Sequence, residues 1–251
     1  MKSKQRLDLL LVERRLAESR EKAQALILAG SVKVDGHPIN KSGRLTDPES
    51  HIEVKEPLKY VSRGGWKLEA ALTQFAISVR DRVCMDVGTS TGGFTDCLLQ
   101  HGAARVHAVD TGAGQIDWKL RSDPRVVLHE SVNARYLAFA EIGEMVDVIA
   151  CDVSFISVAL LVQPLAALLA PDGDWIILIK PQFEVGRERV GKGGIVRDSA
   201  DHALACDKVS RAVQQAGFAT RIVDSPILGA EGNREFLMYA RRDSGQGAVE
   251  T

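Results

Sequence analysis

The spacing of hydrophobic positions changes character along the chain. Near the start, Leu7, Leu10 and Leu11 recur at helical intervals ahead of Arg14 and Arg15. Residues three and four apart share one helix face, so a short first helix is expected there. Ser19 stands as the N-cap of a second helix, whose Ala23, Leu26 and Ile27 share a face and whose end is marked by Gly30. The period then shortens to two. Ser31-Val32-Lys33-Val34 alternates, Asp35-Gly36 is a type I′ turn signal, and His37-Pro38-Ile39 starts a return strand. Turn formers at Ser42-Gly43, Asp47-Pro48 and Glu56-Pro57 break up the next stretch. The expectation is a small α+β unit with its linker over residues 1–59, and a second unit over 60–251.

From Val83 onward, short apolar runs alternate with helical stretches. Strands are expected at 83–87, 105–109, 126–129, 146–151 and 175–179, and helices at 95–101 and 200–216. The runs at 220–223 and 236–240 would close the sheet as an antiparallel pair. Strands that are apolar on both faces belong to a mostly parallel α/β sheet covered by helices. Ligands of such sheets sit beyond the carboxyl ends of the strands.

Composition narrows the class. The chain has 251 residues, 45% hydrophobic and 26% charged, the balance of an ordinary globular protein. Residues 1–62 carry 12 Lys+Arg and 9 Asp+Glu, a net of +3, while the remainder carries 20 and 24, a net of −4. The first unit is therefore the one suited to approach a polyanion. Cys84, Cys97, Cys151 and Cys206 form no CxxC pair, which argues against a zinc ribbon or a thioredoxin-type motif. Scattered cysteines and no signal peptide point to a cytoplasmic protein. Val153 to Ala170 runs 18 residues without a charge, the edge of membrane-spanning length. Ser154, Ser157, Gln163 and Pro164 within it favour a strand end followed by a core helix.

Candidate chemistry gathers at the expected strand ends. Asp86-Val-Gly88-Thr-Ser90-Thr-Gly92-Gly93-Phe94 follows a strand and opens a helix, where backbone amides suit an anionic group. Asp110 ends the next strand and can accept both hydroxyls of a ribose. Nicotinamide dinucleotides and S-adenosylmethionine are both held by that logic. Asp152 and Lys180 end two further strands, and no hydride-transfer pattern accompanies them.

Two resemblances give these features a function. Arg6-Leu-Asp, Ser19-Arg20-Glu21-Lys22-Ala23 and Gly30-Ser31-Val32-Lys33-Val34-Asp35-Gly36 resemble an S4 RNA-binding domain. That resemblance implies contact with structured RNA, with Arg14, Arg15, Arg20, Lys22 and Lys33 as candidate phosphate ligands. Ser62-Arg-Gly-Gly-Trp66-Lys67, the 86–94 turn, Asp152-Val-Ser-Phe, Lys180-Pro-Gln-Phe-Glu184 and Gly229-Ala-Glu-Gly-Asn-Arg-Glu235-Phe236 resemble the TlyA (hemolysin A) family, S4-linked relatives of FtsJ-type ribose methyltransferases. The family implies a Rossmann-like class I methyltransferase domain preceded by the S4 domain. It implies methyl transfer from S-adenosylmethionine to a ribose 2′-hydroxyl of ribosomal RNA, usually of a cytidine. By motif, the Lys–Asp–Lys–Glu tetrad falls on Lys67, Asp152, Lys180 and Glu235, with Glu231 as a less favoured fourth member. Thr89-Ser90-Thr91 departs from the commoner FtsJ turn.

These residue types suit the reaction. A ribose hydroxyl is a poor nucleophile, and a lysine able to give up its proton can serve as its base. Lys180 is the expected base, Lys67 the neighbouring cation, and Asp152 and Glu235 their positioning partners. Asp86, Gly88, Ser90, Gly92, Gly93, Phe94 and Asp110 would form the cofactor site. Asn133 is either an adenine-edge contact or a turn-stabilising residue. No metal is expected, because the histidines form no ligand cluster. Glycine-rich residues 184–198 suggest a mobile lid whose Arg187, Arg189 and Lys192 meet RNA phosphates. The rivals are a membrane-active hemolysin, a catalytically silent RNA binder and a nicotinamide enzyme.

Overall fold

A computed structural model describes residues 4–28, 30–55, 59–229 and 232–243. The chain divides into two compact units, Met1–Lys59 and Tyr60–Thr251.

In the first unit, strand β1 (Gln5–Arg6) leads into helix α1 (Leu7–Glu13), followed by α2 (Arg20–Leu28), β2 (Val32–Val34), β3 (His37–Ile39), β4 (Leu45–Thr46) and β5 (Ile52–Val54). Ser19 Oγ accepts the Lys22 N–H at the start of α2. Gly30 takes φ 70° just past its end. Asp35 and Gly36 both adopt positive φ and turn β2 into β3, as a type I′ hairpin requires. Leu7, Leu10, Leu11, Ala23, Ile27, Val32 and Ile39 form this unit's own core.

The second unit opens with helix α3 (Gly64–Gln74), which the periodicity did not reveal. Then follow β6 (Val83–Val87), α4 (Gly93–Gln100), β7 (Arg105–Val109), α5 (Trp118–Arg121), β8 (Val126–His129), α6 (Phe139–Ile142), β9 (Val146–Cys151), α7 (Val162–Ala166), β10 (Leu169–Ile179), α8 (Pro181–Glu184), α9 (Ser199–Gln215), β11 (Phe218–Asp224) and β12 (Phe236–Arg242). The apolar stretch after Asp152 is a loop, a 3-10 turn, the short α7 and the start of β10, not one long helix. β10 is also longer than its apolar run, with an irregularity between Leu169 and Asp174.

One seven-stranded sheet has the order β11-β12-β10-β9-β6-β7-β8. β8, β7, β6, β9 and β10 are parallel, while β12 and β11 run antiparallel. Strict alternation splits the strands between two cores. Met85, Val87, Ile149 and Ile177 pack beneath α7 and α9. Cys84, Val106, Val148 and Ile176 pack beneath α3 and α4. β6 is followed by β7 on one side and flanked by β9 on the other. That switch in winding direction opens a crevice at the carboxyl ends of β6 and β9.

Candidate active site

The crevice starts at the turn after β6. Gly88 has φ 88°, and a Cβ there would come within 2.3 Å of the Asp152 carbonyl oxygen. Only glycine lets the two strand ends approach so closely. The next turn is fixed by Asp110, whose Oδ2 accepts the Ser90 N–H at 2.7 Å and whose Oδ1 accepts the Gly112 N–H at 2.7 Å. Each oxygen keeps a further lone pair for a ligand hydroxyl. The result is a cleft of about 390 Å³ lined by Gly88, Ser90, Asp110, Asn133, Asp152 and Phe155, among others.

Asp86, Gly92, Gly93 and Phe94 are not among the residues that line the cleft. The fully buried Asp86 accepts the Thr95 N–H and O–H through Oδ2, at 2.9 and 2.7 Å, while its Oδ1 has no hydrogen-bond partner. Burial pushes its carboxyl up to about 7, and the charges of Asp152 and Asp110 add to the rise. Gly92 makes room for Leu120 and Ile116, and Gly93 for Ser62. Phe94 is buried in the core beneath α3 and α4. These glycines thus serve close packing, which the glycine-rich turn alone did not distinguish from ligand approach. Asn133 Oδ1 accepts the Arg135 N–H and caps a 3-10 turn, so its turn-stabilising role is visible, although it also faces the cleft.

Beside the cleft stand two lysine–carboxylate pairs. Lys180 Nζ lies 2.5 Å from Asp152 Oδ1 and donates to Ser154 Oγ at 2.9 Å. Lys67, in the first turns of α3, forms a buried ion pair with Glu235. The register ties the pairs together. Ile179 of β10 lies opposite Phe236 of β12, so Lys180 and Glu235 stand one step further along the same ladder. Asp152 follows the last β9 residue, Cys151, which pairs with Ile177. Glu231 lies outside the described residues.

Sequence reasoning missed two supporting residues. Ser154 holds Lys180 from within the Asp152 loop, and only its nearness in sequence to Asp152 hinted at that. Buried Asn233, two residues before Glu235, accepts the Val196 N–H at 3.0 Å and donates to the Gly194 carbonyl at 2.9 Å. The glycine-rich stretch is therefore tied to the segment that carries Glu235, just ahead of β12. Arg189 is paired with Asp201 at 2.5 Å, whereas Arg187 and Lys192 are exposed.

In the first unit the five basic candidates separate. Arg14 donates to the Pro48 and Ser50 carbonyls and is committed to internal bonds. Arg20 reaches Asp8, which is fully buried and also accepts from Arg6 and Gln24. The hydrogen bond from Arg6, with help from Gln24 and Arg20, holds the Asp8 carboxyl well below the usual carboxylate range despite its burial. Arg15, Lys22 and Lys33 are exposed.

Comparison with known sequences agrees with this architecture. The profile of FtsJ-like methyltransferases matches residues 60–242, and that of the S4 domain matches residues 5–52. The chain belongs to the FtsJ-like methyltransferase family. This FtsJ-like chain is 48% identical to YqxC, a candidate rRNA methyltransferase of Bacillus subtilis, over 94% of its own length and 85% of the relative's. It is 43% identical to the 16S/23S rRNA (cytidine-2′-O)-methyltransferase TlyA of Mycobacterium tuberculosis, over 96% and 91% of the two chains. A solved structure of a candidate hemolysin from Streptococcus thermophilus superposes with a TM-score of 0.73 at 42% identity, covering 100% of this chain and 93% of that one. Among the described residues of the FtsJ-like chain, no helix is long and apolar enough to cross a membrane.

Proposed function

We propose that the chain transfers the methyl group of S-adenosylmethionine to the 2′-hydroxyl of a cytidine in ribosomal RNA. The observation that carries this reading is the Lys180–Asp152 pair, whose Asp152 lines the Gly88–Asp110 cleft, together with the Lys67–Glu235 pair, whose Glu235 stands opposite Lys180 just beyond the β10–β12 ladder. Relatives named as rRNA methyltransferases over nearly the whole chain support the substrate class.

The cleft's residues fit the cofactor. Gly88 leaves no room for a side chain, so the backbone itself forms the wall. Asp110 is set to accept the ribose hydroxyls, the Ser90 turn to meet the methionine end, and Asn133 to meet the adenine edge. When bound, the cofactor supplies a methyl made electrophilic by its sulfonium. The remaining work is alignment and proton removal. Lys180 donates one N–H to Ser154 Oγ and is ion-paired with Asp152 at 2.5 Å, and its amine can still meet the substrate hydroxyl. In its neutral form Lys180 takes the hydroxyl proton there as the oxygen accepts the methyl. Lys67, held by Glu235, places a second cation beside the reacting oxygen. In the first unit, Arg15, Lys22 and Lys33 supply the exposed charge for RNA phosphates, a contact that positions the protein without reading sequence.

The test is transfer of labelled methyl from S-adenosylmethionine to unmodified 30S and 50S subunits by wild type and Lys180→Ala. Nuclease digestion then separates ribose from base methylation. Ribose label that the variant loses is the expected result. Absence of ribose label with wild-type protein that binds the cofactor would overturn the reading.

A further inference from the structure

Glu184 closes α8, four positions past Lys180, and is only 5% exposed. Its Oε2 accepts the Ser157 O–H at 2.5 Å and its Oε1 accepts the Val158 N–H at 2.7 Å. Both donors belong to the loop that follows Asp152. From the opposite side, Lys208 of α9 donates to the Glu184 carbonyl at 2.7 Å and lies 3.3 Å from Oε2. The sheet does not make this connection, because the β9–β10 ladder ends at the Cys151–Ile177 pair. Beyond that pair, the Asp152 loop and helix α8, whose N-cap is Lys180, meet through Glu184 and through the rings of Phe155 and Phe183, whose centroids are 5.2 Å apart. The Asp152 loop also supplies Val153, Ser154, Phe155 and Ile156 to the cleft.

A carboxylate this deeply buried is costly unless its oxygens are satisfied. Here each oxygen accepts a hydrogen bond from one neighbouring loop, with Lys208 also beside Oε2, and that loop carries half of the reacting pair.

We propose that Glu184 is a positioning residue for methyl transfer, fastening the Asp152 loop to the helix that Lys180 caps so that Asp152, Ser154 and Lys180 stay aligned with the cleft. The inference rests on the reading that Lys180 and Asp152 serve the reaction.

The side-chain chemistry predicts an order among variants. Glutamine keeps both links to the loop, because its carbonyl oxygen can accept the Val158 N–H while its amide donates to Ser157 Oγ, and it gives up only the Lys208 ion pair. Aspartate is one methylene shorter and cannot span both donors, and alanine makes neither link.

The experiment compares full-length wild type, Glu184→Gln, Glu184→Asp, Glu184→Ala and Ser157→Ala. It measures kcat and KM on ribosomal subunits per S-adenosylhomocysteine-binding site, the Kd for S-adenosylhomocysteine, and Tm. Misplacing a reacting group by about 1 Å costs on the order of a hundredfold, so Ala and Asp are expected to lower kcat by roughly tenfold to a hundredfold. Their KM for the subunit stays near wild type, and their Kd for S-adenosylhomocysteine weakens severalfold. Gln recovers most of both losses. Ser157→Ala falls between, and adds little in the Glu184→Ala background because the contact is already gone. If Glu184→Ala does not fold, Ser157→Ala and Glu184→Gln carry the comparison. A lowered Tm with kcat per site and Kd unchanged would reduce Glu184 to a stability role and overturn the proposal, as would a Gln variant as impaired as Ala. A wild type that methylates no ribosomal RNA would instead count against the functional reading, and the Kd series would still decide the role of Glu184.

Discussion

Lys67 and Glu235, 168 residues apart in sequence, form a buried ion pair beside the Lys180–Asp152 pair. Their side chains are 10% and 2% exposed, so either one alone would be left as an uncompensated buried charge. Removing one partner of such a pair costs about 3–5 kcal/mol, whereas replacing both with well-packed apolar groups of similar volume is often nearly neutral. Lys67→Met and Glu235→Leu should each lower Tm substantially, and the double variant should recover most of the loss without recovering methyl transfer. Thermal melts with parallel turnover assays check this. Single variants no less stable than the double would show that the pair does not bear on stability.

Lys180 is assigned two abilities, carrying charge and giving up a proton, and arginine separates them. Arginine keeps the charge and can reach Asp152, but it does not deprotonate in proteins. Lys180→Arg is expected to lose roughly 10²–10⁴-fold in kcat, the usual worth of general acid–base catalysis, while binding S-adenosylhomocysteine as wild type does. Turnover near wild type would make Lys180 a fixed cation and remove it as the base.

Asp86 should leave a signature in the pH dependence of stability. Its folded carboxyl is pushed up to about 7, mainly by burial. An unfolded aspartate titrates near 3.9. Between those values the native state holds a proton that the unfolded chain has released. The Asp86 contribution to stability is therefore full below about 4 and is lost as pH rises to about 7. Asp86→Asn never ionises, and its amide oxygen can still accept from Thr95. The Tm of Asp86→Asn minus that of wild type should grow from pH 4 to 7 and level off above. A difference that shrinks as pH rises would contradict the assignment.

How legible these features were depended on how far away their partners lay. Strands β6, β7, β9 and most of β10 are buried on both faces, so their apolar runs stood out, as did Asp86 inside β6 and Asp110, Asp152 and Lys180 just past β7, β9 and β10. Helix α3 did not, because Gly64 and Gly65, poor helix formers, occupy its first turn. Lys67 was reached through family resemblance alone. Gly92 and Gly93 sit in a turn that reads as a ligand cradle, yet their close neighbours are Leu120 and Ser62, which no local pattern announces. The glycines at 191–194 read as a mobile lid, but the Asn233 side chain that anchors them lies 39 residues beyond Gly194. The same holds for Arg14, whose carbonyl partners are 34 and 36 residues further on.

That last contrast divides the basic residues of the S4 unit into two experimental groups. Arg14 is bonded to the Pro48 and Ser50 carbonyls, so Arg14→Ala should lower stability by breaking internal bonds to partly buried acceptors. It should leave the salt dependence of RNA binding nearly unchanged. Lys22 and Lys33 are exposed. A lysine that neutralises a phosphate releases a counterion on binding, and its loss flattens the plot of log affinity against log salt. Lys22→Ala and Lys33→Ala should each weaken binding to ribosomal RNA and reduce that slope by roughly 1, with Tm unchanged. Filter binding over a salt series, with melts of the same preparations, distinguishes the groups. If Arg14→Ala flattens the slope while the lysine variants do not, the RNA face of this unit lies on the Arg14 side, and the assignment of Lys22 and Lys33 fails.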